Sequence, residues 1–218
     1  MFRVVTVARE YGSGGAEIGR RTAERLGWRL VDKQLIETIA VANHIDRAWV
    51  ERADEQCSGW WDRLLGGFRH GGPELFIGEM DDIGVDHDTL QKFTARAIEE
   101  SAKAGECVIV GRGSQCILQH AADVLHVLVF APQEEKIERV RRRHPNERDF
   151  AALLRRMDQE RLHYCQEYYG LDVSDRHLYQ LCLNSGLGED ACAEMIAHAA
   201  RASQQGVPAS ESGLSKSV

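Results

Sequence analysis

Residues 3–28 read R-V-V-T-V-A-R-E-Y-G-S-G-G-A-E-I-G-R-R-T-A-E-R-L-G-W. Residues 3–8 are mostly β-branched or apolar, which predicts a strand buried on both faces. A glycine-rich turn follows at residues 11–15. In residues 16–26, the small or apolar Ala16, Ile18, Gly19, Ala23 and Leu26 fall on one side. Glu17, Arg20, Arg21, Glu24 and Arg25 fall on the other, so this is an amphipathic helix, closed by Gly27. Residues 28–31 form a second short strand ending at Asp32. Strand, glycine turn, helix and strand in this order open a parallel α/β fold.

The same punctuation continues along the chain. Residues 34–42 read as a helix. Residues 46–86 are irregular, with Trp49, Trp60 and Trp61, and read as helices joined by loops outside the main sheet. Residues 88–103 are a helix with Leu90, Phe93, Ala97 and Ile98 on one face. Residues 107–110 (C-V-I-V) and 124–130 are apolar strands, 134–143 and 150–169 helices, 178–183 the last strand, and 190–201 a closing helix. Residues 203–218 are polar with Gly, Ser and Pro, and read as a disordered tail. The expectation is a three-layer fold: a short parallel sheet of about five strands with helices on both faces. It forms one domain over residues 1–202.

Composition bounds the function. The chain has 218 residues, with 27 Lys and Arg against 34 Asp and Glu, for a net charge of −7. That acidity argues against a nucleic-acid binder, which needs a basic footprint. No apolar run approaches the roughly 20 residues of a membrane span. The first residues read as a strand rather than a secretion signal, so a cytoplasmic location is expected. The six cysteines form no C-x-x-C pair and read as reduced thiols. His163 and Cys165 lack the partners of a metal site.

In such a sheet, ligands bind beyond the carboxyl ends of the strands. The informative residues follow each strand: residues 9–15 after the first, Asp32 after the second, and Gly111-Arg112-Gly113 after the third. The fourth is followed by Ala131-Pro132 and a basic helix, the fifth by Asn184-Ser185-Gly186. Gly12, Ser13, Gly14 and Gly15 carry the strongest signal. Glycines let successive backbone N–H groups curl around one concavity, and the following helix adds its positive end, which suits a phosphate. G-x-G-x-x-G does not fit, because position 17 is Glu17. The phosphate-loop pattern G-x-x-x-x-G-K-[ST] fits better but departs at its end: Gly15 stands at the lysine position, followed by Ala16 and Glu17.

Six motifs in order resemble the cytidylate kinase-like family, a divergent branch of the nucleoside-monophosphate kinases. They are A-R-E-Y-G-S-G-G-A-E-I-G, L-V-D-K-Q-L-I, C-V-I-V-G-R-G-S-Q-C-I-L, V-L-V-F-A-P, R-L-H-Y-C-Q-E-Y-Y-G and L-Y-Q-L-C-L-N-S-G-L-G. The resemblance spans roughly residues 3–200 and implies a P-loop NTPase-type fold with ATP and Mg²⁺ as cofactors. It also implies phosphoryl transfer to a small phosphorylated acceptor, CMP or dCMP. Gly12, Ser13, Gly14 and Gly15 would hold the donor phosphates. Asp32 and Arg112 would lie at the acceptor, with the acceptor pocket built by an insertion over residues 43–87. Arg139, Arg141, Arg142 and Arg143 fall where the lid begins, and Arg161 matches a lid-side arginine. Cytidylate kinases proper carry an acid directly after the arginine of the third strand; here it is Gly113.

The residues themselves suggest how the gaps are filled. Arg9 leaves its strand on the ligand side and is the candidate to replace the missing lysine. Glu17 is a candidate Mg²⁺ ligand, or a favourable acid at a helix start. Residues 139–156 carry seven arginines against two acids, which suits an arginine-rich lid or a solvated helix face. Tyr164, Tyr168 and Tyr169 either stack on a base or pack. Nucleotide substrates are the expected partners, without nucleic acid or membrane; the oligomeric state is not legible. Two other readings stay open: a nucleotide-binding regulatory protein without turnover, and a kinase of a non-nucleotide small molecule.

Overall fold

The structure, a computed structural model, describes residues 2–32 and 87–202. The helix expected over 34–42, the acceptor-side segment up to residue 86 and the tail at 203–218 lie outside the described residues.

Five strands make one sheet: β1 (Val4–Arg9), β2 (Arg29–Val31), β3 (Cys107–Val110), β4 (Val124–Phe130) and β5 (Leu181–Asn184). Their order is β2-β3-β1-β4-β5, and every pairing is parallel. β1 lies in the middle, with Val4 level with both Cys107 and Val124. Alternation along the strands sorts the side chains into two cores. Val5, Val7, Val108, Val110, Val127 and Val129 meet Ile18 of helix α1 (Gly15–Leu26) and Ile196 of helix α6 (Glu189–Ala202) on one face. Val4, Val31, Cys107, Ile109 and Val124 meet Ala97 and Ile98 of helix α2 (His87–Ala104) on the other. Residues buried on both faces explain why the strands read as continuous apolar runs rather than alternating ones.

Helix ends are set by local chemistry. Gly27, at φ 70°, ends α1 and lets the Gly27 and Trp28 N–H groups reach the carbonyls of Glu24 and Ala23. Helix α4 (Gln133–Arg143) starts after Pro132. Helix α5 (Phe150–Tyr169) starts at Asp149, whose side chain accepts the Ala152 N–H at 2.9 Å, and stops at Gly170, φ 67°. A third cluster joins these two helices to the glycine loop: Tyr11, Val140, Leu153, Leu154 and Met157 are all buried together.

Two elements differ from expectation. The last strand begins at Leu181 rather than 178, because Asp175 caps a 3₁₀ turn at Arg176–Leu178. The Tyr179 hydroxyl also donates back to the Val173 carbonyl at 2.9 Å. A one-turn helix α3 (Ser114–Ile117) follows Gly113 directly; its four residues are too few to show a helical period.

Candidate functional site

The carboxyl ends of the strands converge on one side of the sheet. At the end of β1 the chain turns through Glu10–Gly15, with Gly12 at φ 78° and Gly14 at φ 80°. Both are left-handed conformations that glycine adopts without strain. Gly12 is also held by packing: a Cβ there would lie 2.9 Å from Val140 Cγ2 and 3.0 Å from the Lys136 carbonyl oxygen. Ser13 is fully buried, and its hydroxyl donates to the Glu10 carbonyl at 2.9 Å. Gly14 caps α1 and faces Glu189, and Gly15 lies against the Arg9 side chain.

A cavity of about 600 Å³ opens between these strand ends and α5. Arg9 from β1, Arg112 after β3 and Arg161 from α5 all line it, with Asp158, Tyr164 and Tyr168. Arg112 sits at φ 58° between Gly111 at 74° and Gly113 at 67°. A residue with a Cβ pays about 1–2 kcal/mol for this conformation, and such strain concentrates at functional sites. Arg161 Nη1 donates to the Arg9 carbonyl at 3.1 Å and to Asp158 Oδ1 at 3.3 Å. Its guanidinium lies 5.6 Å from the centre of the Tyr11 ring.

Asp158 ties the loop to α5. Its Oδ1 accepts the Tyr11 backbone N–H at 2.6 Å, and Lys136 Nζ lies 3.8 Å from Oδ2. Burial pushes the Asp158 carboxyl above its ordinary range, against the pull of the Tyr11 N–H, Arg161 and Lys136. Lys136 also donates to Glu10 Oε2 at 2.8 Å. The Tyr11 hydroxyl pairs with His144 Nε2 at 2.8 Å, at the end of α4. The residues from α4 and α5 are thus docked on the loop.

The remaining expected residues divide. Arg139 reaches the loop, with Nη1 3.4 Å from the Gly12 carbonyl and 3.0 Å from Ser185 Oγ. Arg143 is exposed at the end of α4 and does not line the cavity. Asp32 follows β2, one strand beyond β3, and is not among the lining residues. Glu17, a candidate Mg²⁺ ligand, places Oε1 2.5 Å from Arg20 Nη2 and 2.7 Å from Arg21 Nε, with Oε2 2.8 Å from Arg20 Nε. Hydrogen bonds from Arg20, and then Arg21, hold its carboxyl down at about 2. No group of three His, Cys, Asp or Glu side chains suited to a metal occurs among the described residues.

Asp158 and Lys136 were not expected from the sequence; Tyr169, expected either to stack on a base or to pack, packs against Gly113. The acid three residues before Arg161 was the available signal for Asp158. Tyr169 explains a departure already visible: a Cβ on Gly113 would lie 2.7 Å from the tyrosine ring, so the ring occupies the space beside that backbone. The five described cysteines are not joined in disulfides, and Cys57 lies outside the described residues. No helix among the described residues is long and apolar enough to cross a membrane.

Solved structures share this architecture. An uncharacterized protein from Eubacterium ventriosum matches with a TM-score of 0.66 at 19% identity, covering 93% of this chain and 99% of that one. Shikimate kinase from Acinetobacter baumannii matches with a TM-score of 0.52 at 12% identity, covering 94% and 97%. The Bacteroides thetaiotaomicron shikimate kinase gives 0.52 at 11%, covering 91% and 98%. At these identities the likeness concerns the fold, which is the three-layer α/β fold of P-loop kinases. No curated protein matches the chain. The sequence pattern is more telling, because it matches one family from the first strand to the turn after the last, over residues 4–187. The chain belongs to the cytidylate kinase-like family.

Proposed function

We propose that the protein transfers the γ-phosphoryl group of ATP to a small phosphorylated acceptor, CMP or dCMP, releasing ADP and the acceptor diphosphate. One observation carries this reading: three arginines from separate segments, Arg9, Arg112 and Arg161, line a single cavity at the carboxyl ends of β1 and β3, where Glu10 leads into the glycine loop. An unphosphorylated alcohol acceptor needs a carboxylate to take its proton. A phosphate acceptor is already an anion and needs cations. Here Asp158 is engaged by Tyr11 and Arg161, and Glu10 by Lys136.

In this reading Arg112 forks onto the acceptor phosphate with two hydrogen bonds. Gly12, Ser13, Gly14 and Gly15 hold the donor phosphates through backbone N–H groups and the start of α1. Arg139 carries the lid side of the donor site, while Arg161 braces the loop through the Arg9 carbonyl. An acceptor phosphate oxygen attacks the γ-phosphorus, and the bond to the β–γ bridging oxygen breaks. Mg²⁺, taken up together with ATP, would supply further neutralisation of phosphate charge. Glu17, with both oxygens on arginines, is not assigned to it. A cytoplasmic location, with access to nucleotides, fits this activity.

Release of ADP from Mg·ATP tests the proposal, across nucleoside monophosphates, cytidine and polyols. Turnover with phosphorylated acceptors alone, lost in Arg112→Ala, supports it. Turnover with cytidine or a polyol overturns it. The second reading, nucleotide binding without turnover, is favoured by Gly15 and Ala16 standing where a loop lysine and hydroxyl are expected. It predicts ATP binding and no ADP release with any acceptor.

A further inference from the structure

We propose that Arg9 is the cation at the transfer point, and that Arg9 and the glycine at position 15 together replace the loop lysine. This rests on the phosphoryl-transfer reading above. A Cβ on Gly15 would stand 2.7 Å from Arg9 Cβ and 3.2 Å from its Cδ. A Cβ on Gly111 would stand 1.9 Å from Arg9 Nη1 and 3.0 Å from its Cζ. The stem of Arg9 therefore crosses the first residue of α1, and its tip reaches the turn that presents Arg112. One side chain spans the donor loop and the acceptor-side turn.

Gly15 is a helical residue outside the positive-φ glycines, so its backbone does not demand glycine. What demands it is the Arg9 stem. A lysine at 15 and Arg9 in this position exclude each other, and the missing lysine is one half of a paired change. The Arg9 backbone is fixed in turn by Arg161, which holds its carbonyl at 3.1 Å.

The chemistry suits a guanidinium. As the bond to the ADP oxygen breaks and the bond to the acceptor oxygen forms, negative charge stays on the equatorial oxygens of the moving phosphoryl group. A cation lying between the two phosphates meets that charge throughout. Arg9 takes no proton and forms no bond.

The full-length chain is tested as Arg9→Ala, Arg9→Lys, Gly15→Lys and the Arg9→Ala/Gly15→Lys double variant. Two readouts are used: kcat for ADP release, and the ratio of ATP to AMP affinity by calorimetry. The second reads contact with the terminal phosphates without turnover. Arg9→Ala is expected to lower kcat by at least about a hundredfold, with guanidinium ion in solution restoring part of it. Its ATP-over-AMP preference should fall about tenfold. Gly15→Lys should be impaired, and the double variant should exceed it. Arg9→Lys, which keeps a charge and most of the stem, should lie between wild type and Arg9→Ala. Arg9→Ala within about twofold of wild type in both readouts, or a double variant no better than Gly15→Lys, overturns the proposal. If the wild type turns over no acceptor, the reaction reading fails by itself, and the affinity ratio still decides the role of Arg9.

Discussion

Arg112 combines a left-handed backbone with a place in the cavity lining. Its φ of 58° costs stability, and its half-buried side chain lines the cavity. Arg112→Gly should relieve about 1–2 kcal/mol of that strain, raising the melting temperature, while the acceptor KM rises about ten- to a hundredfold. A variant that gained stability and kept its acceptor KM would remove Arg112 from the site. Glu17 gives a pH test. Its pKa is held near 2, below the ordinary 4.5, by Arg20 and Arg21. Its stabilising effect is complete above the unfolded value and fades as pH falls from about 4.5 towards 2. Glu17→Gln should lower the melting temperature at pH 7 by about 1–3 °C, as partly exposed ion pairs do. The gap between variant and wild type should narrow by pH 3. Arg112 was legible because glycines bracket it after an apolar strand. Asp158 was not, since its partner Tyr11 lies 147 residues away in sequence.

Among the elements, α4 and α5 do the positioning. Their buried residues Val140, Leu153, Leu154 and Met157 close over Tyr11, so the glycine loop is packed from above as well as built from below. Capping should govern this arrangement. Asp149→Ala removes the acceptor for the Ala152 N–H and should cost about 1 kcal/mol in urea unfolding. Because α5 carries Arg161 and Asp158, the same variant should raise the KM for ATP; an unchanged KM would show that the start of α5 is not coupled to the loop. The bounds of β3, β4 and α5 could be read directly, since apolar runs and glycine or proline stops mark them. The first residue of β5 could not, because the Asp175 cap and the Tyr179 hydroxyl contact impose a turn on an otherwise strand-like run. α3 is a single turn with no period to detect.

For the whole molecule, the parallel sheet is what makes a site from scattered motifs. With β1 central and β3 and β4 beside it, the residues after the first and third strands become neighbours although about a hundred positions separate them. That is why reading strand ends located Arg9 and Arg112 without a structure. The side chains that complete the site from α5 obey tertiary packing instead, and no local pattern encodes the fit of Arg9 against both Gly15 and Gly111. In the proposed reading, donor and acceptor sites abut across Arg9, and a phosphoryl group should pass directly between them. The most direct measurement follows a label on the γ-phosphoryl group of ATP during incubation with CMP. The label should appear in CDP, one label for each ADP released. Label found only in inorganic phosphate, or remaining in ATP while the folded protein binds nucleotide, would contradict direct transfer.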